Sequence, residues 1–373
     1  MAQAMVGSSN PLSVNRIPAD GLGQSAARPD VTIRLFEAGD EVRWDEFVHR
    51  HLHGSPFHLI AWKKSIEETF GYRPVYLIAM EADQVRGVLP LFLVEGLLVK
   101  RALISSPFAV YGGVLADSQD VRERLRGHLQ ELGGSLKVEY VELRNAYPEQ
   151  CLGFANVSRY VSFTQEIGPD EKSLLDAIPR KTRAAVRKAL KEEFSVRTQT
   201  ADYAAFEDLY SKNLRRLGTP SFPREHFGRL LRNFQDKANI REIVLQGRVV
   251  AAVMSFYFRD QVLPYYGASD PAFNAAAPNN YMYYDLMRWG GQNGYKLFDF
   301  GRSKKEGSGS RDFKAHWGMM ERELPYEILL VKRRQLPDYS PNNPRFDLAI
   351  RVWRRLPLAL TRWLGPHFVR LVP

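Results

Sequence analysis

The chain is poor in the features that mark secreted and membrane-spanning proteins. Its 373 residues include a single cysteine, Cys151, which excludes an internal disulfide and fits a reducing compartment. Residues 1–30 lack the unbroken apolar core of a secretory signal and are rich in Ser, Gly, Pro and Ala, so we expect a disordered leader. The longest apolar run, Gly87–Val99, is interrupted by Pro90 and Glu95 and is too short to cross a bilayer. We therefore expect a soluble, cytoplasmic protein.

Several catalytic signatures are also missing. The chain has no Gly-x-Ser-x-Gly nucleophile elbow, no Walker loop and no HExxH zinc motif. These absences argue against a serine hydrolase, a P-loop nucleotide hydrolase and a zinc protease, and they fit an enzyme that works by positioning its substrates. We expect no metal and no redox cofactor.

Positive charge is concentrated in two places. The formal net charge is +10, of which the segment Val331–Pro373 contributes +7. A second concentration lies in the helix predicted over Ile178–Glu193. Such asymmetry favours local contacts with anions over a generally basic surface.

The order of predicted elements indicates a duplicated α/β domain. Each half has three strands, a helix and a further strand, which favours a mixed sheet with helices on its faces. Tyr111-Gly112 corresponds to Tyr266-Gly267, and Glu142-Leu143-Arg144 corresponds to Asp299-Phe300-Gly301, at nearly the same offset along the chain. Repetition at this scale indicates two related domains. The pattern is interrupted near residues 147–162, where we place the boundary between them.

Three motifs between Pro264 and Gly318 resemble the C-terminal domain of the FemAB family. They are Pro264-Tyr-Tyr-Gly-Ala-Ser, Phe298-Asp-Phe-Gly-Arg-Ser, and Gly307-Ser-Gly-Ser-Arg-Asp-Phe-Lys314 followed by Trp317-Gly318. The closing stretch, from Asn343-Pro-Arg-Phe-Asp-Leu-Ala-Ile350 to Leu364-Gly-Pro-His367, is similar to the FemAB-type subgroup that accompanies exosortase/PEP-CTERM systems. The resemblance covers roughly residues 31–373.

The resemblance implies a fold and an activity. FemAB proteins are acyltransferases with two tandem GNAT-like domains, an α/β fold with mixed sheets, and they add amino acids to cell-envelope precursors. We therefore expect a leader over 1–30, GNAT-like domains over 31–155 and 156–335, and a basic amphipathic tail over 336–373. The expected activity is acyl transfer from aminoacyl-tRNA to an amine or hydroxyl on a lipid-linked, envelope or exopolysaccharide precursor.

Lys314 and Asp299 are the candidate catalytic residues. By the resemblance, the Phe313-Lys314 pair, with Trp317 nearby, lies in the transfer channel, where an ammonium could stabilise an oxyanion; the alternative is a surface lysine. Asp299 ends a predicted strand, where α/β proteins often place working groups, and a structural hydrogen bond is the alternative. Tyr265 and Tyr266 are aromatic candidates for stacking on a nucleotide base, but neighbours in a strand face opposite ways, so at most one can line the cleft.

Two basic segments are candidate anion sites. The helix over Ile178–Glu193 places Arg180, Arg183 and Arg187 on one face, suited to phosphates of a tRNA or an anionic acceptor, or simply to solvent. The loop predicted over Gly301–Ser310 combines glycines with Arg302 and Lys304, which suits an anion, or again a solvated surface.

The donor and the tail leave alternatives open. Residues 269–278 lack the glycine pattern that binds the coenzyme-A pyrophosphate in ordinary GNAT enzymes, so aminoacyl-tRNA is favoured over acyl-CoA; a non-catalytic binding module is a third possibility. In the tail, Trp and Leu residues form a stripe along one side of the predicted helix, and most of the arginines lie outside this stripe. The pattern suits either binding of residues 345–373 to an anionic membrane surface or packing of the stripe across the two domains. The oligomeric state is not indicated.

Overall fold

The computed structural model describes residues 30–96, 99–306, 309–337 and 347–371, so the predicted leader lies almost wholly outside the described residues. Helices α1 to α11 are, in chain order, Glu41–Arg50, Ile60–Phe70, Gln119–Ser135, Glu171–Ala177, Arg180–Ala189, Ala204–Leu217, Glu225–Phe234, Pro278–Gln292, Gly309–Ala315, Asp347–Arg355 and Leu358–Val369. Strands β1 to β17 are Thr32–Leu35, Arg73–Pro74, Leu77–Glu81, Gln84–Leu89, Leu91–Gly96, Lys100–Ser105, Leu115–Ala116, Tyr140–Leu143, Ala155–Val157, Tyr160–Glu166, Ser195–Gln199, Ala238–Leu245, Arg248–Phe258, Gln261–Ser269, Leu297–Lys304, Met320–Glu323 and Tyr326–Leu330.

Local sequence signals explain where several elements begin and end. Helix α2 ends at Gly71, whose φ of 68° is the left-handed conformation that glycine adopts without strain. Helix α3 begins after Ser118, whose hydroxyl accepts a hydrogen bond from the Val121 amide. Strands β4 and β5 are separated at Pro90, which has no N–H to donate to a ladder.

The first half of the chain forms two sheets. One has the order β1-β3-β4-β7, and the other has the order β2-β5-β6-β8-β17-β9. Strands β6 and β8 are parallel, whereas β5 and β6 are antiparallel. Helices α1 to α3 cover these sheets, so the mixed α/β architecture expected for the first domain is confirmed.

The second half forms a seven-stranded mixed sheet with the order β11-β12-β13-β14-β15-β10-β16. All neighbours are antiparallel except β14 and β15, which are parallel and pair only at Gln261 with Leu297 and at Val262 with Phe298. Beyond these two pairs the strands part, which opens a gap at the end of β15. The second mixed sheet completes the tandem arrangement predicted from the sequence.

One strand crosses the predicted domain boundary. Strand β17, which the division at residue 156 assigns to the second domain, pairs with β8 and β9 in the sheet of the first half. Aromatic rings also join the halves: Phe57 lies 4.9 Å from Tyr265, and Trp62 lies 6.0 Å from Phe256, between ring centroids. The two halves therefore share one apolar core, and the residue limits of the domains stay a prediction.

The tail helices pack on the body of the protein. Arg362 of α11 donates to Glu207 and Asp208 of α6, and the Ser221 hydroxyl donates to the Thr361 carbonyl. Trp353 is 9% exposed, whereas Trp363 is 67% exposed. The predicted single apolar stripe is therefore divided: part of it is buried against the body and part faces outward. In the described ranges, no helix is long and apolar enough to span a membrane.

Candidate active site

The end of strand β15 is the point where both halves of the chain meet. Asp299 is 4% exposed and accepts two hydrogen bonds through its two carboxylate oxygens. Oδ1 accepts from the Gly301 amide at 2.7 Å, and Oδ2 accepts from the Tyr111 hydroxyl of the first half at 2.9 Å. Gly301 has a φ of 64°, so a glycine here lets the chain turn back towards the carboxylate without strain.

The surroundings of Asp299 oppose its ionisation. Burial raises the pKa of this carboxyl above its usual range, although the Gly301 amide, the Tyr111 hydroxyl and the charge of Lys314 act in the opposite direction. Each carboxylate oxygen accepts one hydrogen bond within the protein, and these bonds hold Tyr111 and the turn at Gly301 in place. A catalytic role of Asp299 stays a prediction.

Lys314 reaches the same end of β15 from helix α9. Its Nζ donates to the carbonyl oxygens of Phe300 at 2.6 Å, Gly301 at 3.1 Å and Arg302 at 2.9 Å. Burial lowers the pKa of Lys314 to about 8, Asp299 opposes this change, and the charge of Arg302 adds to it. Lys314 is thus a half-buried ammonium whose charge acts on Asp299, and its three protons are engaged by backbone carbonyls.

Two of the predicted substrate contacts are buried among neighbouring rings. Trp317 is 1% exposed and packs with Phe313 against Phe300. Tyr266 is 4% exposed, and its hydroxyl lies 3.2 Å from Nε2 of the buried His226. Both rings therefore belong to the core, and their contact with a substrate stays a prediction.

Phe313 and Tyr265 are only half-buried. The Tyr265 hydroxyl donates to the Phe108 carbonyl of the first half at 2.6 Å. Tyr265 therefore helps to bind the two halves together, and of the two adjacent tyrosines it is the one near the cleft. Whether Phe313 and Tyr265 contact a substrate stays a prediction.

The predicted anion-binding loop is mostly regular structure. Strand β15 continues through Lys304, and helix α9 begins at Gly309. Residues 307 and 308 lie outside the described residues. The expectation of a long glycine-rich loop is therefore wrong, since the β15 ladder with β10 extends to the pair Lys304 and Tyr160. Arg302 remains at the site and donates to the Tyr326 hydroxyl at 3.2 Å.

Helix α5 carries a basic depression of about 470 Å³. Its lining is formed by Arg180, Arg183, Ala184, Arg187, Lys188 and Lys191. Arg183 differs from its neighbours because it is half-buried and donates to the Asp176 carboxylate at 3.1 Å. On the other, buried side of α5 the Thr182 hydroxyl donates to the His316 carbonyl, so the helix contacts the segment that carries Lys314, while the depression lies on its outer side.

Sequence reasoning missed four residues of this region: Tyr111, Ser162, Arg322 and Tyr326. They come from strands or connecting segments far apart in the chain. Tyr111 had been noted only as a landmark of the repeat, and that correspondence with the second half was the one signal of its position. Nothing in the local sequence of the other three distinguishes them from ordinary strand residues.

Comparison with known proteins identifies the fold. Residues 178–315 match the family described as "Acetyltransferase (GNAT) domain". No curated protein matches the chain at a significant level. Among solved structures, FemX is similar, with a TM-score of 0.63 and 15% identity over 86% of this chain and 100% of FemX.

Two other solved structures have the same architecture. A tandem GNAT protein from the clavulanic acid biosynthesis pathway has a TM-score of 0.51 and 11% identity, over 82% of this chain and 100% of its own. L-PGS from Bacillus licheniformis has a TM-score of 0.51 and 14% identity, over 81% of this chain and 98% of its own. The chain therefore has a tandem GNAT-like fold of the kind seen in FemX, and residues 178–315 form an acetyltransferase (GNAT) domain.

Proposed function

We propose that this protein is an acyltransferase that moves an aminoacyl group from aminoacyl-tRNA to an envelope or exopolysaccharide precursor. The observation that carries the proposal is the ammonium of Lys314, held beside Asp299 at the end of β15, where the two halves meet. An acyltransferase needs hydrogen-bond donors or positive charge near the developing oxyanion, and an ammonium supplies both. It needs no covalent enzyme intermediate, because the donor ester is already activated.

The reaction follows from the chemistry of an ester and a nucleophile. The acceptor nitrogen or oxygen attacks the carbonyl carbon of the donor ester, and a negative charge develops on the carbonyl oxygen. Lys314 stabilises that charge by exchanging one of its backbone acceptors, for example the Gly301 carbonyl at 3.1 Å, for the oxyanion. The bond to the acceptor forms, the ester bond to the ribose breaks, and the proton lost by the acceptor ends on the ribose oxygen.

The basic depression on α5 supports a polyanionic donor. In the described residues, Arg180, Arg187 and Lys188 are exposed and form no ion pair. Cations without protein partners attract phosphates and release counterions when they bind them. Helix α5, which carries the depression, contacts the Lys314 segment through Thr182, and we place the phosphates nearest the ester of a charged tRNA along this helix.

The structure around α8 weighs against acyl-CoA, the alternative donor. Tyr283 projects from α8 into the gap between the parting strands: its ring lies 4.6 Å from the Phe300 ring, and a Cβ at Gly267 would meet its hydroxyl at 2.6 Å. Residues 271–276 form a 3-10 helix where ordinary GNAT enzymes have the pyrophosphate loop. A pantetheine arm between β14 and β15 would have to displace Tyr283.

We further propose that the acceptor belongs to an exosortase/PEP-CTERM-type system and that the protein works on the inner face of the cytoplasmic membrane. The first part rests on the resemblance of the closing stretch. The second rests on the tail, where Leu348, Val352, Trp363 and Phe368 are exposed on helices rich in arginine. Trp and Leu beside arginines suit the headgroup region of an anionic leaflet.

A transfer assay tests the proposal. Purified protein is incubated with charged tRNA or with acyl-CoA, each against a lipid-linked glycan extract, and labelled product is counted. Transfer from charged tRNA that Lys314→Ala abolishes supports the proposal. Transfer from acyl-CoA alone identifies the alternative enzyme, and transfer from neither donor favours a non-catalytic binding module.

A further inference from the structure

A row of three polar residues crosses the sheet next to Asp299. In the pairing of β10 with its two neighbours, Ser162 lies opposite Arg302 of β15 and opposite Arg322 of β16. Directly paired residues project from the same face of a sheet. The contacts of Arg302 with Tyr326 and of Arg322 with Tyr147 place that face towards the first half of the chain.

The two guanidinium groups of this row are held by aromatic rings. Arg322 lies 3.8 Å above the centroid of Tyr147, and that ring stacks on His53 at 4.4 Å. Arg302 lies 4.6 Å above the centroid of Tyr160. Stacking of this kind fixes the plane of a guanidinium while leaving its N–H edges free to donate.

Neither guanidinium forms an ion pair among the described residues, although the charge of Arg322 acts on the buried Asp299. The strand neighbours of Arg322 project from the other face of the sheet, where Glu321 pairs with Arg311 and Glu323 pairs with Lys305. Arg302 and Arg322 are both half-buried, so each loses part of its hydration without forming an ion pair. Two partly desolvated arginines on one face offer a site for an external anion.

The residue between the two arginines has a hydroxyl that forms no well-aligned hydrogen bond. Ser162 is 1% exposed, and its Oγ lies near the Tyr111 hydroxyl, where it opposes the rise in the pKa of Tyr111 without meeting hydrogen-bond geometry. The neighbouring Tyr111 hydroxyl donates its proton to Asp299 instead. A buried hydroxyl without a well-aligned partner is costly, and a bound oxyanion would accept its proton.

We infer that the row Arg302–Ser162–Arg322 binds an oxyanion carried by the acceptor substrate, either a carboxylate or a phosphate. This inference rests on the proposed function, because it takes the interdomain face as the acceptor side. Helix α5, with the basic depression, packs on the opposite face of the same sheet through Val186. Donor phosphates and the acceptor anion are thus bound on separate faces, and both substrates approach the end of β15.

The position of the row suits this task. Arg302 follows Asp299 by three residues in β15, but a β-bulge lies between them: Asp299 is opposite Thr164 and Arg302 is opposite Ser162, a separation of roughly 7 Å along the sheet. An acceptor anchored by its anion at Arg302 and Arg322 would extend its nucleophile towards the carbonyl cluster that holds Lys314. The anion would then set the distance of attack, in the way that remote binding groups position a reacting atom.

Binding measured without any donor tests the site. Glucose 1-phosphate, glucuronate and glucose serve as probes in calorimetric titrations of the full chain. We expect one of the two anionic sugars to bind and glucose not to bind, and the anion that binds distinguishes phosphate from carboxylate. Arg322→Gln should weaken that binding by about tenfold or more, since it removes a charge-assisted pair. Arg322→Lys should restore part of it, and Ser162→Ala should have a smaller effect.

Lys305→Gln is the matched control, because Lys305 lies in the same region but is already paired with Glu323. Equal losses in Arg322→Gln and Lys305→Gln, or no binding of either anionic sugar, overturn the inference. Circular dichroism of each variant verifies folding. If the protein transfers acyl groups and Arg322→Gln leaves the acceptor KM unchanged, the anion site is overturned and the proposed function stands. If Arg322→Gln abolishes anion binding in a protein that transfers no acyl group, the anion site stands and the proposed function is overturned.

Discussion

The Tyr111 hydroxyl donates a 2.9 Å hydrogen bond to Asp299 Oδ2 across the two halves of the chain. Both residues are buried, so the bond forms away from water. The Tyr326 hydroxyl adds a second link by donating to the Val110 carbonyl. The geometry at the end of β15 therefore depends on how the segment that follows β6, which carries Val110 and Tyr111, packs against the second half of the chain.

Removing the Tyr111 hydroxyl should destabilise the protein. Tyr111→Phe leaves one oxygen of a buried carboxyl without its donor, and we expect the free energy of unfolding to fall by about 1–3 kcal/mol. Denaturant unfolding gives the change. Tyr72→Phe is the matched control, since Tyr72 donates to a neutral backbone carbonyl, that of Arg370, and should cost less.

A double-mutant cycle isolates the pair. Tyr111→Phe and Asp299→Asn should be less than additive if the two groups interact directly. Strict additivity would show that Tyr111 supports the fold through its ring alone.

Replacing Lys314 tests the catalytic assignment. Lys314→Ala should lower turnover by orders of magnitude, because one oxyanion donor contributes about 3 kcal/mol to transition-state binding. Lys305→Ala, which removes a lysine of the same segment from a surface ion pair, should leave turnover within a few-fold of wild type. Turnover of Lys314→Ala within that same range would make Lys314 a structural residue that only ties α9 to β15.

The pH dependence of turnover should report the charge of Lys314. Because burial lowers its pKa to about 8, we expect turnover to fall as the pH rises through about 8 in wild type, and the step to move upwards in Lys314→Arg. Unfolding would not produce this step: the folded chain releases the Lys314 proton more readily than the unfolded chain, so this group favours the folded state as pH rises from 8. A turnover that rises through pH 8 would identify Lys314 as a base.

Local patterns predicted much of the fold because they are set by neighbours in sequence. The order predicted for the second half, three strands, a helix and a further strand, is that of β12, β13, β14, α8 and β15, since apolar spacing and end signals lie within each segment. The extension of β15 to Lys304 was not predicted, because it depends on pairing with Tyr160, far away in the chain.

The site was predicted only in part for the same reason. Asp299 and Lys314 lie in motifs that are visible in the sequence, and the structure brings both to the end of β15. Tyr111 and Arg322 join them through sheet register and domain docking, which local patterns do not encode. The burial of Trp317 was not predicted, because it depends on Phe300 and Tyr283, contributed by β15 and α8.

The basic depression on α5 should give tRNA binding its salt dependence. Arg180→Gln with Arg187→Gln should weaken binding and lower the slope of log affinity against log salt by roughly 1 per arginine removed. Arg183→Gln should change the slope less, because Arg183 already pairs with Asp176. Filter binding over a salt series measures the slopes, with Lys172→Gln as control, since Lys172 also pairs with Asp176. Equal slopes in all variants would mean that this face meets only solvent.

The outward face of the tail should bind anionic bilayers. Leu348 and Val352, one turn apart on α10, are 68% and 51% exposed, and Trp363 of α11 is 67% exposed. Leu348→Ser with Trp363→Ser should lower the sedimentation of the protein with phosphatidylglycerol vesicles by about tenfold, because two apolar side chains no longer enter the interface. Arg355→Gln should weaken binding further, by about 1 kcal/mol.

Point variants test the tail more cleanly than truncation. Arg354 donates to the Leu217 carbonyl, and a Cβ at Gly365 would meet Ser221, so deleting residues 345–373 would uncover α6 and destabilise the body. Leu52→Ser is the control, since Leu52 is 79% exposed but lies in the first half. If phosphatidylcholine vesicles bind the protein as well as phosphatidylglycerol vesicles do, or if Leu52→Ser weakens binding as much as the tail variants do, the arginine-flanked face is not the membrane contact.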